Sequence, residues 1–259
     1  AKFISFGATV NFIHSITNNS TSSYGNASGM IPLVEPYDTA GNWVMIPNRD
    51  QQIINAINDR NTVFDETKIN RVFGNVFAEV TFFKGLKYRT MFGLDTRSSI
   101  RGQFNGAQSS IRIGSVANAS QTTNTSSSWV YDNILTYNTK IRSDHSLNVT
   151  LLQELQSLNR SSSLTMSANN LIFEAQKWYS LNRNTDAIVT GNGTFSATQY
   201  LSYMGRVEYG FKNKYLLTLS NRYDNSSVLA EGNKGAWFPS ASAAWQLDRE
   251  DFFRKQQVF

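Results

Sequence analysis

Apolar and polar residues alternate along much of this chain. Successive side chains of a β-strand point to opposite faces, so this period of two predicts strands with one apolar and one polar face. The pattern is clearest over residues 203–212, where one face carries Tyr203, Gly205, Val207, Tyr209 and Phe211. Eight segments follow it well enough to be predicted as strands, at 3–12, 69–83, 86–95, 127–140, 147–156, 203–212, 215–222 and 237–247.

The lengths of the strands and of their connections indicate a membrane protein. Most of these strands span about 10–14 residues, whereas soluble strands average about 5–6, and about 10 tilted residues cross a bilayer. Short connections near 83–85, 142–145 and 212–214 alternate with long ones at about 15–68, 98–126, 158–198 and 225–235. Outer-membrane barrels alternate short periplasmic turns with long extracellular loops. The sequence therefore predicts an all-β fold, an antiparallel transmembrane β-barrel segment of about eight strands.

The long connections are rich in Asn, Ser and Thr. Residues 117–128 are nearly of low complexity, which predicts a mobile loop. Short helices are expected over Arg49 to Arg60 and Asn169 to Leu181. Pro239 lies within a predicted strand, where its missing N–H indicates a bulge or a strand start.

In a barrel, the apolar face meets lipid and the charged face meets a wet lumen. Aromatic residues near the strand ends suit the interfacial girdles of such proteins, namely Tyr203, Tyr215, Trp237 and Trp245. Arg206, Glu208 and Arg222 would line the polar wall and contact a luminal plug, or form a solvated sheet face. The alternation alone leaves open whether the apolar face meets lipid or a soluble core.

The composition offers few of the residue types that catalytic sites use. The chain has no cysteine and two histidines, His14 and His145, so it lacks thiol nucleophiles and the parts for His-based triads or metal centres. Carboxylate pairs such as Asp65 with Glu66, and Asp144 with Glu154, lack a spacing that predicts glycoside hydrolysis. The net charge of +5 is spread along the chain and does not predict nucleic-acid binding. We therefore predict neither an enzyme nor a cofactor, and no apolar run suits a transmembrane helix.

Residues 203–247 resemble a signature stretch of the SusC/RagA-type TonB-dependent transporters of Bacteroidetes. The matching residues are Gly205, Arg206, Tyr209, Lys212, Lys214, Tyr215, Leu216, Leu217, Thr218, Arg222, Asp224, Ser226, Ser227, Gly235, Phe238, Pro239, Ser240 and Trp245. Residues 85–88 and 92–95 also resemble a strand of this family. Asn225 stands where the family usually has glycine, and a following Phe-Gly pair is absent, which affects the shape of that loop.

The resemblance implies a barrel of about 22 strands in the cell outer membrane, filled by a plug, energised by TonB and capped by a SusD-like surface lipoprotein. Such transporters import glycans or peptides. Residues 1–259 are expected to be a partial barrel without the TonB box, the plug and the remaining strands. The start inside a strand and the end near Phe259 are both interpreted as truncations.

Trp43, Trp178 and Tyr179 lie in the long loops. They are predicted to contact the substrate, because aromatic rings stack on sugars; the alternative is that they anchor their own loops. Two other functions remain open: a self-contained eight-stranded barrel acting as an adhesin or structural protein, and a soluble carbohydrate-binding β-sandwich. A chain that stays folded and monomeric without detergent would favour the sandwich.

Overall fold

The computed structural model describes residues 3–19, 28–47, 55–179, 181–183 and 192–254. The strands are β1 (Ile4–Asn18), β2 (Val63–Phe83), β3 (Leu86–Asn105), β4 (Asn118–Ile141), β5 (His145–Asn169), β6 (Asn192–Phe211), β7 (Tyr215–Ser226) and β8 (Gly235–Trp245). Short α-helices lie at α1 (Ala56–Thr62) and α2 (Asp251–Arg254). Single 3-10 turns cover Glu174–Gln176, Leu181–Arg183 and Leu247–Arg249.

The eight strands form one antiparallel sheet in sequence order, with β1 and β8 at its edges. Tight turns at 84–85, 142–144 and 212–214 join strands at one end, and longer connections join them at the other. The predicted fold class is confirmed. In the part of the chain that the structure describes, β1 does not pair with β8, so the self-contained eight-stranded barrel is not formed.

Several strands extend well beyond the predicted bounds. Residues 118–128, predicted to be a mobile loop, form the distal part of β4, and that prediction is wrong. These residues pair with β3 on one side and with β5 on the other, so the backbone is bonded from both neighbours. Threonine also fits a pleated sheet surface well. Pairing with two neighbouring strands therefore orders a segment whose composition is typical of a loop.

The predicted loop helices fare differently. For 49–60, residues 49–54 lie outside the described residues, and α1 begins at Ala56, where the Asn55 side chain caps the Ile57 N–H. For 169–181 the expectation is wrong: Asn169 ends β5, and a single 3-10 turn forms at Glu174–Gln176. No helix among the described residues is long and apolar enough to span a membrane.

Pro239 lies in the middle of β8, opposite Asn221, and the β7–β8 pairing has no register shift. The prediction of a bulge or a strand start is therefore wrong. Backbone hydrogen bonds join Gln246 to Lys214 and Ser226 to Lys234. Hydrogen-bonded pairs alternate with non-bonded ones, so the Pro239 nitrogen points away from β7. Proline is accepted there because β8 is the edge of the described sheet.

Candidate functional site

Strand register joins the apolar sides of all eight strands into one continuous surface, here called the apolar face. One row across it runs through Ala8, Val76, Phe92, Tyr131, Leu155 and Leu201. The band runs from Gly74 to Phe83 on β2 and, in register, from the row of Gly74 to the turn ends of the other strands; its described residues include no Asp, Glu, Lys or Arg on this face. It is about 25 Å tall, allowing for strand tilt. Large apolar side chains stay exposed there, Phe6 at 78%.

Four polar side chains within the apolar face bond to each other. The Tyr88 hydroxyl donates to Asn133 Oδ1 at 2.5 Å, and Asn133 Nδ2 donates to Gln153 Oε1 at 3.3 Å. Gln153 in turn donates to the Tyr203 hydroxyl at 3.4 Å. Because an unpaired polar group is costly in a hydrocarbon environment, this chain of contacts makes the band compatible with lipid.

The predicted aromatic girdle residues fall into two rows. Tyr215 and Trp245 pair near the turns, with ring centroids 6.2 Å apart. Tyr203 and Trp237 share the second row with Tyr223, whose ring lies 5.0 Å from that of Trp237. Tyr215 and Tyr223 are separated by about 27 Å of strand. On β7 and β8 the two rows therefore lie on either side of the apolar residues Leu217, Leu219 and Ala241, as aromatic girdles bracket the band of an outer-membrane barrel.

The opposite surface, here called the polar face, carries most of the charges of the strands. Arg71 pairs with Asp95 at 2.6 Å, and Lys87 with Glu79 at 3.0 Å. The predicted wall residues all lie on it: Arg206 pairs with Glu208, and Arg222 contacts Glu154 at 2.9 Å and Asp224 at 2.7 Å. No group of three or more potential metal-ligating side chains occurs among the residues described.

At the turn end of the sheet, Glu250 holds two turns together. Its carboxylate accepts hydrogen bonds from Lys214 Nζ at 2.9 Å, the Tyr215 hydroxyl at 2.7 Å and Trp245 Nε1 at 3.1 Å. The Lys214 ammonium, followed by the two ring donors, lowers the pKa of Glu250 to about 2. The β6–β7 turn is thus tied to the segment that follows β8.

We expect the Glu250 contacts to make the folded protein acid-sensitive. Because the folded-state pKa is depressed, the stabilisation is complete above the unfolded pKa of 4.5 and is lost as pH falls towards about 2. Glu250→Gln should lower the temperature at which the folded band converts in a detergent gel, measured from pH 6 down to pH 2. The difference from wild type should shrink to zero at the acid end. A difference that stays constant across this range would contradict the assignment.

The structure brings Trp178 and Tyr179 together, with ring centroids 5.2 Å apart. Trp178 is only 6% exposed and belongs to a cluster with Phe104, Ala119 and Ala168. Its indole lies over Gly102, where a Cβ would overlap it. The cluster covers the apolar-face side of the sheet beyond the band. Burial of this kind favours an anchoring role for Trp178.

Tyr179 and Trp43 are more accessible. Tyr179 is 65% exposed, and its hydroxyl accepts a hydrogen bond from Lys68 Nζ at 3.3 Å. Trp43 is half-buried in a separate loop, where its ring packs at a tilt against that of Tyr37 with centroids 4.4 Å apart. Substrate contact by these aromatic residues stays a prediction.

One pair of arginine residues on the polar face is not predicted from the sequence. Arg71 of β2 lies directly opposite Arg97 of β3. The odd-numbered cations of β3 (Lys87, Arg89, Arg97 and Arg101) are a visible signal of one charged face. The partner of Arg97 depends on the strand register, which the sequence does not show.

The continuous apolar band, its aromatic rows and the charged opposite face define the wall of an outer-membrane type of β-barrel. No family model matches the chain. It is 28% identical over 98% of its length to "TonB-dependent receptor P26" of Formosa agariphila, covering 26% of that protein. Over 33% of its length it is 32% identical to "TonB-dependent receptor SusC" of Bacteroides thetaiotaomicron, covering 9% of that protein. The chain thus spans about a quarter of P26.

Solved structures show the same fold. The chain superposes on the "RagAB peptide transporter" with a TM-score of 0.77 and 17% identity, covering 98% of this chain and 29% of that one. The 'closed-closed' state of the RagAB peptide importer gives a TM-score of 0.78. The resemblance to SusC/RagA-like TonB-dependent transporters, predicted from residues 203–247, is confirmed.

Proposed function

We propose that residues 1–259 form part of the barrel wall and extracellular loops of a SusC-like, TonB-dependent transporter in the cell outer membrane. The observation that carries this proposal is the apolar band, about 25 Å tall and free of Asp, Glu, Lys and Arg across all eight strands. Lipid covers this face, and the aromatic rows lie at the two membrane interfaces. The similarity to TonB-dependent receptors supports the same conclusion.

The polar face then borders the lumen. A water-filled or plugged lumen accepts the ion pairs of Arg206, Glu208 and Arg222, whereas a lipid-facing surface would not. Their role is to line the wall and to contact the plug. The wall performs no chemical step, so the proposed function is transport and not catalysis, with energy supplied by TonB through parts outside residues 1–259.

The longer connections face the outside of the cell in this proposal. They form the surface that meets a SusD-like lipoprotein and the incoming glycan or peptide. Among the predicted substrate contacts, the exposed rings of Tyr179 and Trp43 are the accessible ones, and Trp178 holds the loop that presents Tyr179. Nucleic acid is not a partner.

Fractionation of the native cell tests this proposal. The full-length parent protein should be enriched in the outer membrane, migrate differently on a detergent gel with and without heating, and co-purify with a surface lipoprotein. A soluble periplasmic protein followed in the same fractions is the control. Recovery of the folded parent protein in a soluble periplasmic or secreted fraction would contradict the membrane location and the transporter proposal.

A further inference from the structure

Arg71 and Arg97 face each other across strands β2 and β3 on the polar face. Like charges directly opposite one another in a sheet are destabilising. Asp95 neutralises only one of the two, since its carboxylate accepts from Arg71 Nε at 2.9 Å and from Arg71 Nη2 at 2.6 Å. The local charge is therefore positive.

Arg97 differs from the other cations on the same face of β3. Lys87 pairs with Glu79, Arg101 pairs with Asp65 at 2.5 Å, and Arg89 lies over the Phe77 ring at 4.1 Å. Arg97 is exposed and makes no hydrogen bond or ion pair within the described ranges. Its neighbour on β4 is the uncharged Ser126. The guanidinium of Arg97 is thus available to a ligand.

The position of Arg71 and Arg97 along their strands places them near the outer edge of the apolar band. On the apolar face, β3 leaves the band just after Leu94, and Thr96 and Ser98 follow. Arg97 therefore lies on the inner wall at the outer edge of the membrane, where an incoming solute would first meet the lumen. Its polar-face neighbours on β4 are neutral and hydrophilic, namely Asn124, Ser126 and Ser128.

We propose that Arg71 and Arg97 form a binding site for a carboxylate of the transported molecule. This inference rests on the proposed function and specifies its substrate class as acidic. Guanidinium groups present planar pairs of N–H donors that match the two oxygens of a carboxylate. A carboxylate held by Arg97 and approaching Arg71 would also relieve the repulsion between the two cations. An acidic peptide and a uronic-acid glycan both carry the required group.

Two matched ligand pairs test the site on the purified full-length transporter by calorimetry. The first pair is tetraglutamate and tetraglutamine, and the second is tetragalacturonate and its methyl ester. In at least one pair the acidic form should bind about tenfold more tightly, because a hydrogen bond to a charged group contributes about that factor. The pair that shows the preference identifies the source of the carboxylate.

Arg97→Gln should abolish this preference, and Lys87→Gln is the matched control. Lys87 lies on the same face of the same strand and carries the same charge, but it is paired with Glu79, so its removal should leave the preference intact. Equal or undetectable binding of both members in both pairs would overturn the site. A preference that survives in Arg97→Gln would overturn it as well.

The result of the ligand-binding test can be distinguished from the result of the fractionation test. Fractionation and heat-modifiable migration report on membrane location and folding without any ligand. An outer-membrane protein with no carboxylate preference would refute the arginine site alone. A protein that is absent from the outer membrane would refute the transporter proposal.

Discussion

Leu151→Arg should destabilise the membrane-inserted protein by about 2–4 kcal/mol, the range for a cation placed on the lipid face near the bilayer midplane. Leu151 lies on the apolar face between Leu135 and Gly205, and 51% of its surface is open to the surroundings. An arginine at this position has no polar partner within the band, so its charge would meet hydrocarbon.

Leu152→Arg is the matched control, because it makes the same change one residue along the same strand. Leu152 lies on the polar face, opposite Ile134 and Met204, and should lose less than about 1 kcal/mol. Chemical unfolding of the full-length protein in lipid vesicles, followed by heat-modifiable migration, measures both. Equal losses at the two positions would overturn the assignment of the faces.

Trp178→Ala should open the loop between β5 and β6. A buried aromatic side chain replaced by alanine costs about 3–5 kcal/mol, and Trp178 is the largest member of the cluster with Phe104, Leu171 and Leu181. The loop over residues 170–183 should therefore become sensitive to protease in intact outer membranes, at rates well above wild type. The sheet below the cluster should keep its heat-modifiable migration.

Tyr179→Ala is the matched control for the loop. Because the Tyr179 side chain is 65% exposed, its loss should leave protease resistance close to wild type. If Tyr179→Ala weakens uptake while the loop stays protected, substrate contact by Tyr179 is supported. Wild-type protease resistance in Trp178→Ala would contradict the anchoring role.

The eight strands could be found from the sequence because alternation is a local property. It holds within the band, where one face meets lipid and the other a polar wall, and there the predicted faces agree with the register. It fails over residues 118–128, where Ser, Thr and Asn occupy most positions of both faces. The distal part of β4 was therefore mistaken for a mobile loop, although pairing with β3 and β5 makes it a strand.

The candidate site was less accessible from the sequence. Loop aromatic residues stand out by type, but the sequence does not separate a buried anchor such as Trp178 from an exposed ring such as Tyr179. That difference depends on Gly102, far away in the chain, which leaves room for the indole. Likewise, the sequence predicts a bulge at Pro239, because it does not show that this residue lies in the edge strand of the described sheet.

The fold class, the two faces, the short and long connections and the resemblance to SusC-like transporters can all be predicted from the amino-acid sequence. Each of these depends on residues close together in the chain. The three-dimensional structure was needed to show how far the strands extend, which loop residues are buried, and that Arg71 lies opposite Arg97. These features arise from strand register, which brings distant residues together, and a shift of one residue would place every side chain on the opposite face.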